Sequence, residues 1–222
     1  MTVMTRIFLV RHGVTQYNVE GKFQGSQDIP LNFIGLRQAA LLGQRFADMQ
    51  ISSVYSSPLL RAMQTAEQIA QPHGIAVTPV AELREIYAGK FEGRSVAENR
   101  RDYPEQFHNM KYSYVKFNPP EGESFRHLYS RVADAFHQIL QQERDRTAII
   151  VTHFFPASVI TICAEGADIE DTKLISTLNA SVSLFESDGE NGLHTIYTGD
   201  VTHLSLPDGS NLIFEAGASF AI

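Results

Sequence analysis

The sequence predicts an α/β fold, a three-layer sandwich in which a mostly parallel central sheet carries helices on both faces. Two apolar runs, 7–10 and 148–151, are short and continuous, as is typical of strands that are buried on both faces. Along the chain such runs alternate with segments whose apolar residues have helical spacing. This alternation favours parallel pairing of the strands.

The other predicted elements continue this alternation. Helical spacing predicts helices over 29–49, 58–70, 125–142 and 156–163. Asn32 is the expected N-cap of the first helix, and Gly74 is expected to stop the chain after the second. Strands are predicted over 53–56, 75–80, 147–152, 181–185 and 193–197, with a turn at Asp188-Gly189.

The segment 87–121 departs from this pattern. It contains Pro104, Pro119 and Pro120 and many aromatic residues, and it shows no clear period. We interpret it as an irregular or partly helical insertion, a small cap that covers a site. Because no repeat, low-complexity tract or Gly/Ser-rich linker divides the chain, we expect one domain over 1–222 with a cap-like insertion at about 87–121.

Charge and composition narrow the classes of function. The 18 basic and 25 acidic residues give a formal net charge of −7, which argues against nucleic-acid and membrane partners, because both need a basic surface. The single cysteine, Cys163, allows no internal disulfide and fits a reducing compartment. No apolar stretch approaches the roughly 18 residues that span a bilayer. The N-terminus lacks a signal-peptide pattern, so we expect a cytoplasmic protein.

Polar side chains that could take part in catalysis or ligand binding follow four of the predicted strands. Arg11, His12 and Gly13 follow the first strand, and Arg61 comes soon after the second. The segment 82–85, which ends in Glu85, follows the third strand, and His153 follows the strand 147–152. The carboxyl ends of parallel strands line one crevice, so these groups are expected to converge. Each has an ordinary alternative, such as a surface ion pair or a helix cap, but the combination favours one site.

These residues belong to longer stretches that occur in a known order. The stretches are 9–18, 21–25, 30–32, 56–62 with 64–66, 82–85 with Gly89 and 91–93, 122–124, 151–153 and 202–204. Together they resemble the histidine phosphatase superfamily, in its phosphoglycerate-mutase-like branch, over nearly the whole chain. The resemblance implies an α/β fold of the expected kind and an active site on the five strand-end residues.

The resemblance implies a role for each of the five residues. His12 would attack phosphorus as a neutral nucleophile, which nearby Arg11 and Arg61 would help to keep unprotonated. The two guanidiniums would hold phosphate oxygens. His153 would add a donor and is expected to be cationic when phosphate is bound. Glu85 would protonate the leaving oxygen and then activate water against the phosphohistidine.

Four further residues are expected at the phosphate or substrate. By family position Asn18 would contact phosphate, and Thr15 and Gln24 would line the pocket, with loop-stabilising hydrogen bonds as the alternative for all three. Gly13 would allow close backbone approach to a ligand. No metal or other cofactor is expected, because Arg11 and Arg61 would repel a divalent cation and no close His-x-His spacing exists.

One departure from the family pattern concerns substrate choice. Phe154 follows His153 where the family usually has glycine, and its side chain is expected to narrow the pocket. The aromatic residues of the segment 93–122 suit a less polar leaving group than glycerate, unless they form the core of the cap; they are Tyr103, Phe107, Tyr112, Tyr114 and Phe117.

Three functions follow from these residues. The favoured one is a metal-independent phosphatase that hydrolyses small phosphomonoesters, so the expected partner is a small phosphorylated substrate. A phosphoglycerate mutase and a catalytically silent phosphoester-binding module are the alternatives. The apolar segment 216–222 could dock on its own domain or on a partner, which leaves a homodimer open.

Overall fold

The central sheet has six strands. In the computed structural model, which describes residues 4–170, 177–187, 189 and 192–214, these are β1 (Thr5–Arg11), β2 (Ser53–Ser56), β3 (Val77–Pro79), β4 (Thr147–Thr152), β5 (Val182–Ser187) and β6 (His194–Asp200). Their order is β3-β2-β4-β1-β5-β6. The first four pair in parallel, whereas β5 is antiparallel to both β1 and β6, which confirms the mostly parallel sheet. Asp188 of the predicted turn and the segment 216–222 lie outside the described residues.

Seven α-helices occur in the described chain: α1 (Gln16–Val19), α2 (Phe33–Phe46), α3 (Leu60–Ala70), α4 (Val96–Asp102), α5 (Pro104–Tyr112), α6 (Phe125–Gln142) and α7 (Phe154–Glu165). The Asn32 side chain accepts from the Gly35 N–H and caps α2, as predicted, so the helix begins later than the expected residue 29. Helix α7 begins two residues before the expected Pro156. Within the described residues, no helix combines the length and apolar character needed to cross a membrane.

Two apolar cores lie on opposite faces of the sheet. Along β1, Ile7 and Leu9 join the core built with α6 and α7, whereas Phe8 and Val10 join the core built with α2 and α3. Successive side chains of a strand point to opposite faces, so a continuous apolar run is needed where both faces are covered. This arrangement confirms the three-layer prediction.

The segment 87–121 contains α4 and α5 with 3₁₀ turns at Gly89–Phe91 and Tyr114–Lys116. Three of its aromatic residues, Phe107, Tyr114 and Phe117, are buried in the core on the α6 side. The Phe117 ring stacks on Phe155 of α7 with 5.7 Å between centroids, while Tyr112 is exposed. Most of these aromatics therefore hold the segment to the core, which agrees with the alternative that they form the core of the cap. The action of the segment as a cap stays a prediction.

Candidate active site

The two histidines of the site follow adjacent parallel strands. His12 comes directly after β1 and His153 directly after β4, and Arg11 is paired with Thr152 in the register of these strands. The backbone N–H of His12 donates to the Thr152 carbonyl at 3.0 Å. The two imidazole rings are consequently buried side by side, with 5.1 Å between their centroids.

The His12 ring is held in one orientation by its own neighbour. Its Nδ1 lies 2.7 Å from the carbonyl oxygen of Gly13, a contact that needs a hydrogen on Nδ1. Burial lowers the pKa of His12 well below its ordinary value, and Arg61 and Arg11 lower it further. The imidazole is therefore neutral, with its proton on Nδ1 and a free lone pair on Nε2.

The loop after His12 touches helix α2 through two glycines. A Cβ on Gly13 would lie 2.7 Å from the Gly35 carbonyl oxygen, and a Cβ on Gly35 would lie 2.1 Å from the Val14 carbonyl oxygen. The Val14 N–H donates to Oε1 of Gln38, also on α2, at 2.8 Å. Backbone contact with α2 thus requires a glycine at position 13. The expected approach of its backbone to a ligand stays a prediction.

Arg61 is fully buried in the first turn of α3. Its Nη1 donates to the Gln27 carbonyl at 2.7 Å, its Nη2 to the Gly25 carbonyl at 2.8 Å, and its Nε to Nδ1 of His153 at 3.2 Å. Burial lowers the pKa of Arg61 to about 10, so it stays charged at neutral pH. Counting hydrogen bonds to described residues, one N–H on each terminal nitrogen is available to a ligand.

The protonation of His153 follows from this contact with Arg61. Because Nδ1 accepts from the Arg61 Nε–H, it carries no proton, and Nε2 lies 2.7 Å from the Ser57 hydroxyl. Burial and the charge of Arg61 also lower the pKa of His153 well below its ordinary value. His153 is neutral in this structure, and the expected cation with bound phosphate stays a prediction.

Arg11 lies at the end of β1 beside Phe154. Its Nη1 donates to the Thr177 carbonyl, and its guanidinium carbon is 5.5 Å from the centre of the Phe154 ring. Burial lowers the pKa of Arg11 to about 10, and the charge of Glu85 opposes this shift. The Nε of Arg11 is buried and has no hydrogen-bond partner among the described residues. Considering only the described part of the chain, this charged donor beside His12 is available to a ligand.

The carboxyl group of Glu85 accepts hydrogen bonds from two backbone N–H groups, that of the next residue and the first one of helix α7. Its Oε1 accepts from the Ile86 N–H at 2.9 Å, and its Oε2 accepts from the Phe154 N–H at 3.0 Å. Burial raises the pKa of Glu85, although the hydrogen bond from the Ile86 N–H and the charges of Arg61 and Arg11 work in the opposite direction. A raised pKa favours the protonated carboxyl that a general acid needs.

The backbone that carries Glu85 is fixed by Arg131 on α6. The Arg131 guanidinium donates to the carbonyls of Glu82, Arg84 and Glu85, the last two at 2.8 and 3.3 Å. It also forms two hydrogen bonds of 2.7 Å with the Glu123 carboxylate. Sequence reasoning missed this role of Arg131, because no motif marks it within its helix.

Thr15, Asn18 and Gln24 form one hydrogen-bonded group around α1. Thr15 caps this helix: its Oγ1 accepts from the Asn18 N–H at 3.2 Å, while its own N–H donates to Asn18 Oδ1 at 3.0 Å. The Thr15 hydroxyl also contacts Gln24 Oε1 at 2.9 Å. Loop-stabilising hydrogen bonds are therefore present at Thr15 and Gln24. Contact of these two residues with a substrate, and of the Asn18 Nδ2 with phosphate, stays a prediction.

The combined site has the composition that phosphoryl transfer requires. Two charged guanidiniums, a neutral imidazole with a free lone pair and a carboxyl of raised pKa meet at the carboxyl end of a parallel sheet. Over the part of the chain that the structure describes, no three His, Cys, Asp or Glu side chains are grouped to hold a metal ion. Fold and site together indicate an α/β phosphate-binding enzyme.

Comparison with known families agrees with this class. A family model described as histidine phosphatase superfamily (branch 1) matches residues 7–197. The chain therefore belongs to the histidine phosphatase superfamily, and the resemblance found in the sequence is confirmed. Its expected class, a phosphoric monoester hydrolase of this superfamily, is confirmed with it.

Individual relatives cover most of the chain. Phosphoglycerate mutase-like protein 4 of Arabidopsis thaliana is 35% identical over 202 residues, which cover 89% of this chain and 86% of that protein. Phosphoserine phosphatase 1 of Hydrogenobacter thermophilus is 30% identical over 181 residues, covering 82% of this chain and 86% of that protein. The solved structure of Bacillus stearothermophilus YhfR matches with a TM-score of 0.80 and 30% identity, over 90% of this chain and 98% of that chain.

Proposed function

We propose that the protein is a metal-independent phosphatase that hydrolyses small phosphomonoesters through a phosphohistidine on His12. The observation that carries this proposal is the 2.7 Å contact between His12 Nδ1 and the Gly13 carbonyl. It leaves Nε2 as an unprotonated nucleophile in a buried site that also holds two charged arginines.

The reaction has two steps. His12 Nε2 attacks phosphorus while the ester P–O bond breaks, and Glu85 gives its proton to the leaving oxygen. The Glu85 carboxylate then takes a proton from water, whose oxygen attacks phosphorus and breaks the N–P bond, releasing phosphate and restoring His12. Arg11 and Arg61 stabilise the charge on the transferring group in both steps.

The position of Phe154 supports a small leaving group. Its backbone N–H contacts the proposed acid, Glu85, and its ring lies 5.5 Å from the guanidinium carbon of Arg11. A partly buried aromatic ring thus lies beside a group proposed to hold phosphate, and the backbone of the same residue contacts the group proposed to protonate the leaving oxygen. We infer that this ring limits the size of the ester that can reach His12.

Phosphoglycerate mutase is the second candidate, favoured by the name of the Arabidopsis relative. A mutase would transfer the phosphoryl group from His12 back to the substrate, so 3-phosphoglycerate would become 2-phosphoglycerate. A phosphatase would release free phosphate from either isomer. Following both products by ³¹P NMR separates the two functions, and conversion that retains the ester would exclude the hydrolase.

The test of the proposed function is hydrolysis of an aryl phosphate in EDTA across pH. The wild type is compared with His12→Ala and Glu85→Gln, and with His108→Ala, which removes an exposed histidine on α5. We expect activity in EDTA for the wild type and the His108 variant, none for His12→Ala, and a strong reduction for Glu85→Gln. Binding of several phosphate esters without turnover would instead favour the catalytically silent module.

A further inference from the structure

The residues 177–181, which we call the clamp turn, lie against the end of β1 at His12. The Ala180 N–H is 3.0 Å from the Arg11 carbonyl and 3.1 Å from the His12 carbonyl, and the Arg11 side chain donates to the carbonyl of Thr177. Ala180 has a φ of +59°, which is unfavourable for a residue with a Cβ. Such a conformation persists only where surrounding contacts hold it, and here those contacts are with the catalytic strand.

Asn179 is the central residue of the clamp turn and is only 4% exposed. Its Nδ2 lies 3.0 Å from the His12 carbonyl oxygen, and 3.4 Å from both the Gly13 carbonyl oxygen and Asn18 Oδ1. The two backbone carbonyls can only accept hydrogen bonds, so the nitrogen of the amide must face them. One side chain therefore contacts the nucleophile's backbone, the residue after it and the expected phosphate ligand Asn18.

The Gly13 carbonyl connects Asn179 with the reacting nitrogen. This oxygen also accepts the Nδ1–H of His12, so its position decides which ring nitrogen carries the proton. We propose that Asn179 is a positioning residue, which holds the His12-Gly13 backbone so that the proton stays on Nδ1 and Nε2 remains the nucleophile. This inference rests on the phosphohistidine chemistry proposed for His12.

Asn99 provides a matched control for Asn179. It is also a buried asparagine, and its Nδ2 donates to a backbone carbonyl, that of Phe91, at 3.1 Å. We compare Asn179→Ala and Asn99→Ala by steady-state hydrolysis of an aryl phosphate and by ¹⁵N NMR of the His12 imidazole in the ligand-free protein. A loss of stability alone would affect both variants, whereas a change in the His12 tautomer is specific to positioning.

We expect Asn179→Ala to lower kcat by about 10- to 100-fold with little change in KM, because a misplaced nucleophile costs rate more than binding. The NMR signals should show a larger fraction of His12 with its proton on Nε2. Asn99→Ala should leave both the tautomer and kcat near the wild-type values. A wild-type kcat and an unchanged tautomer in Asn179→Ala would overturn the proposal, as would an equal loss of kcat in Asn99→Ala.

A second variant, Asn179→Asp, keeps the shape of the side chain. It tests whether the side chain must donate a hydrogen bond to the carbonyl oxygens. Its ionised carboxylate would face two carbonyl oxygens without a proton to donate, whereas the protonated carboxyl can donate one. Its activity relative to the wild type should therefore increase as the pH is lowered from about 8 to about 5. A constant ratio would contradict a donor role, and this variant answers the question even where Asn179→Ala does not fold.

Failure of the proposed function would look different from failure of this inference. If the proposed function is wrong, no phosphohistidine would be detected in the wild type at any pH. The tautomer measurement needs no turnover, so it reports on Asn179 whether or not the wild type hydrolyses the ester.

Discussion

Glu85 Oε2 accepts a hydrogen bond of 3.0 Å from the backbone N–H of Phe154, the first residue of α7. The first N–H groups of a helix have no partner inside the helix and commonly bind an anion. In this protein one of them is occupied by the proposed general acid. The side chain at position 154 can therefore be changed without removing the donor that holds Glu85.

Replacement of Phe154 by glycine is predicted to widen the range of substrates. The variant keeps the N–H that holds Glu85 but removes the ring beside Arg11. We expect the ratio of kcat/KM for naphthyl phosphate to that for ethyl phosphate to rise about tenfold, since pocket fit of this kind is worth on the order of 1–3 kcal/mol.

Phe33→Gly is the control for this variant, because Phe33 is the first residue of another helix, α2, and the residue is 74% exposed. Both substitutions lower helix stability, yet only the one at position 154 should change the ratio between the two esters. An unchanged ratio in Phe154→Gly would show that the ring does not limit the leaving group.

Glu85→Gln is predicted to lose activity. Its stability relative to the wild type is predicted to increase as the pH rises. The folded protein raises the pKa of Glu85 above its ordinary value of 4.5, so the unfolded chain releases this proton at lower pH than the folded one. From about pH 4.5 upwards the wild type loses folding free energy through this group, while the neutral glutamine does not.

The measurement is the free energy of unfolding in urea at several pH values for Glu85→Gln and wild type, with the exposed Glu105→Gln as control. Relative to wild type, Glu85→Gln should become more stable between acid and neutral pH. A change in the opposite direction would mean that Arg11 and Arg61 hold Glu85 as a carboxylate, which would contradict its assignment as the acid.

Gly35→Ala is predicted to displace the loop after His12 as well as to lower the stability of the fold. The new Cβ would lie 2.1 Å from the Val14 carbonyl oxygen, two residues after His12. Gly43→Ala on the same helix would bring a Cβ to 2.5 Å from the carbonyl oxygen of Gln68, on α3.

Both variants should lose roughly 1–3 kcal/mol of stability from overpacking. Urea unfolding and kcat/KM measured well below the unfolding temperature separate the two effects, and only Gly35→Ala should lower kcat/KM. Equal activity of the two variants would show that the contact between α2 and the loop is unimportant for His12.

Arg131→Lys is predicted to lower activity through the backbone of Glu85. A lysine cannot reproduce the contacts of the Arg131 guanidinium with three carbonyls and the Glu123 carboxylate, so the segment 82–85 should lose its fixed position. We expect kcat to fall about tenfold, within the range caused by small displacements of catalytic groups.

Arg126→Lys on the same helix changes an exposed ion pair with Glu170 and should leave kcat unchanged. The comparison of the two variants by steady-state kinetics tests the role of Arg131 directly. Equal kcat values for both variants would show that Arg131 does not position Glu85 for catalysis.

The sequence predicts the position of His12 and His153 because each follows a short apolar strand, and parallel strands end at one edge of the sheet. The helix over 125–142 was predicted with its observed bounds, since its apolar positions repeat regularly. The start of α7 was missed because the predicted boundary relied on Pro156, although the helix begins at Phe154.

Contacts between distant parts of the chain account for what the sequence does not reveal. Asn179 reaches the His12 carbonyl across 167 positions, and no local pattern marks it. Tyr112 and Phe117 belong to the same aromatic segment, yet one is exposed and the other is buried, because tertiary packing decides between them. The raised pKa of Glu85 likewise depends on burial, which is a property of the folded chain.

The central claim is that His12 carries the phosphoryl group, and trapping that intermediate tests it most directly. The wild type is mixed with ³²P-labelled aryl phosphate in EDTA and quenched within milliseconds, and the labelled peptide is identified by mass spectrometry. We predict an acid-labile, alkali-stable phosphate on His12 that forms before free phosphate accumulates and is absent in His12→Ala. Steady hydrolysis with no label on His12, or label on another residue, would contradict the account.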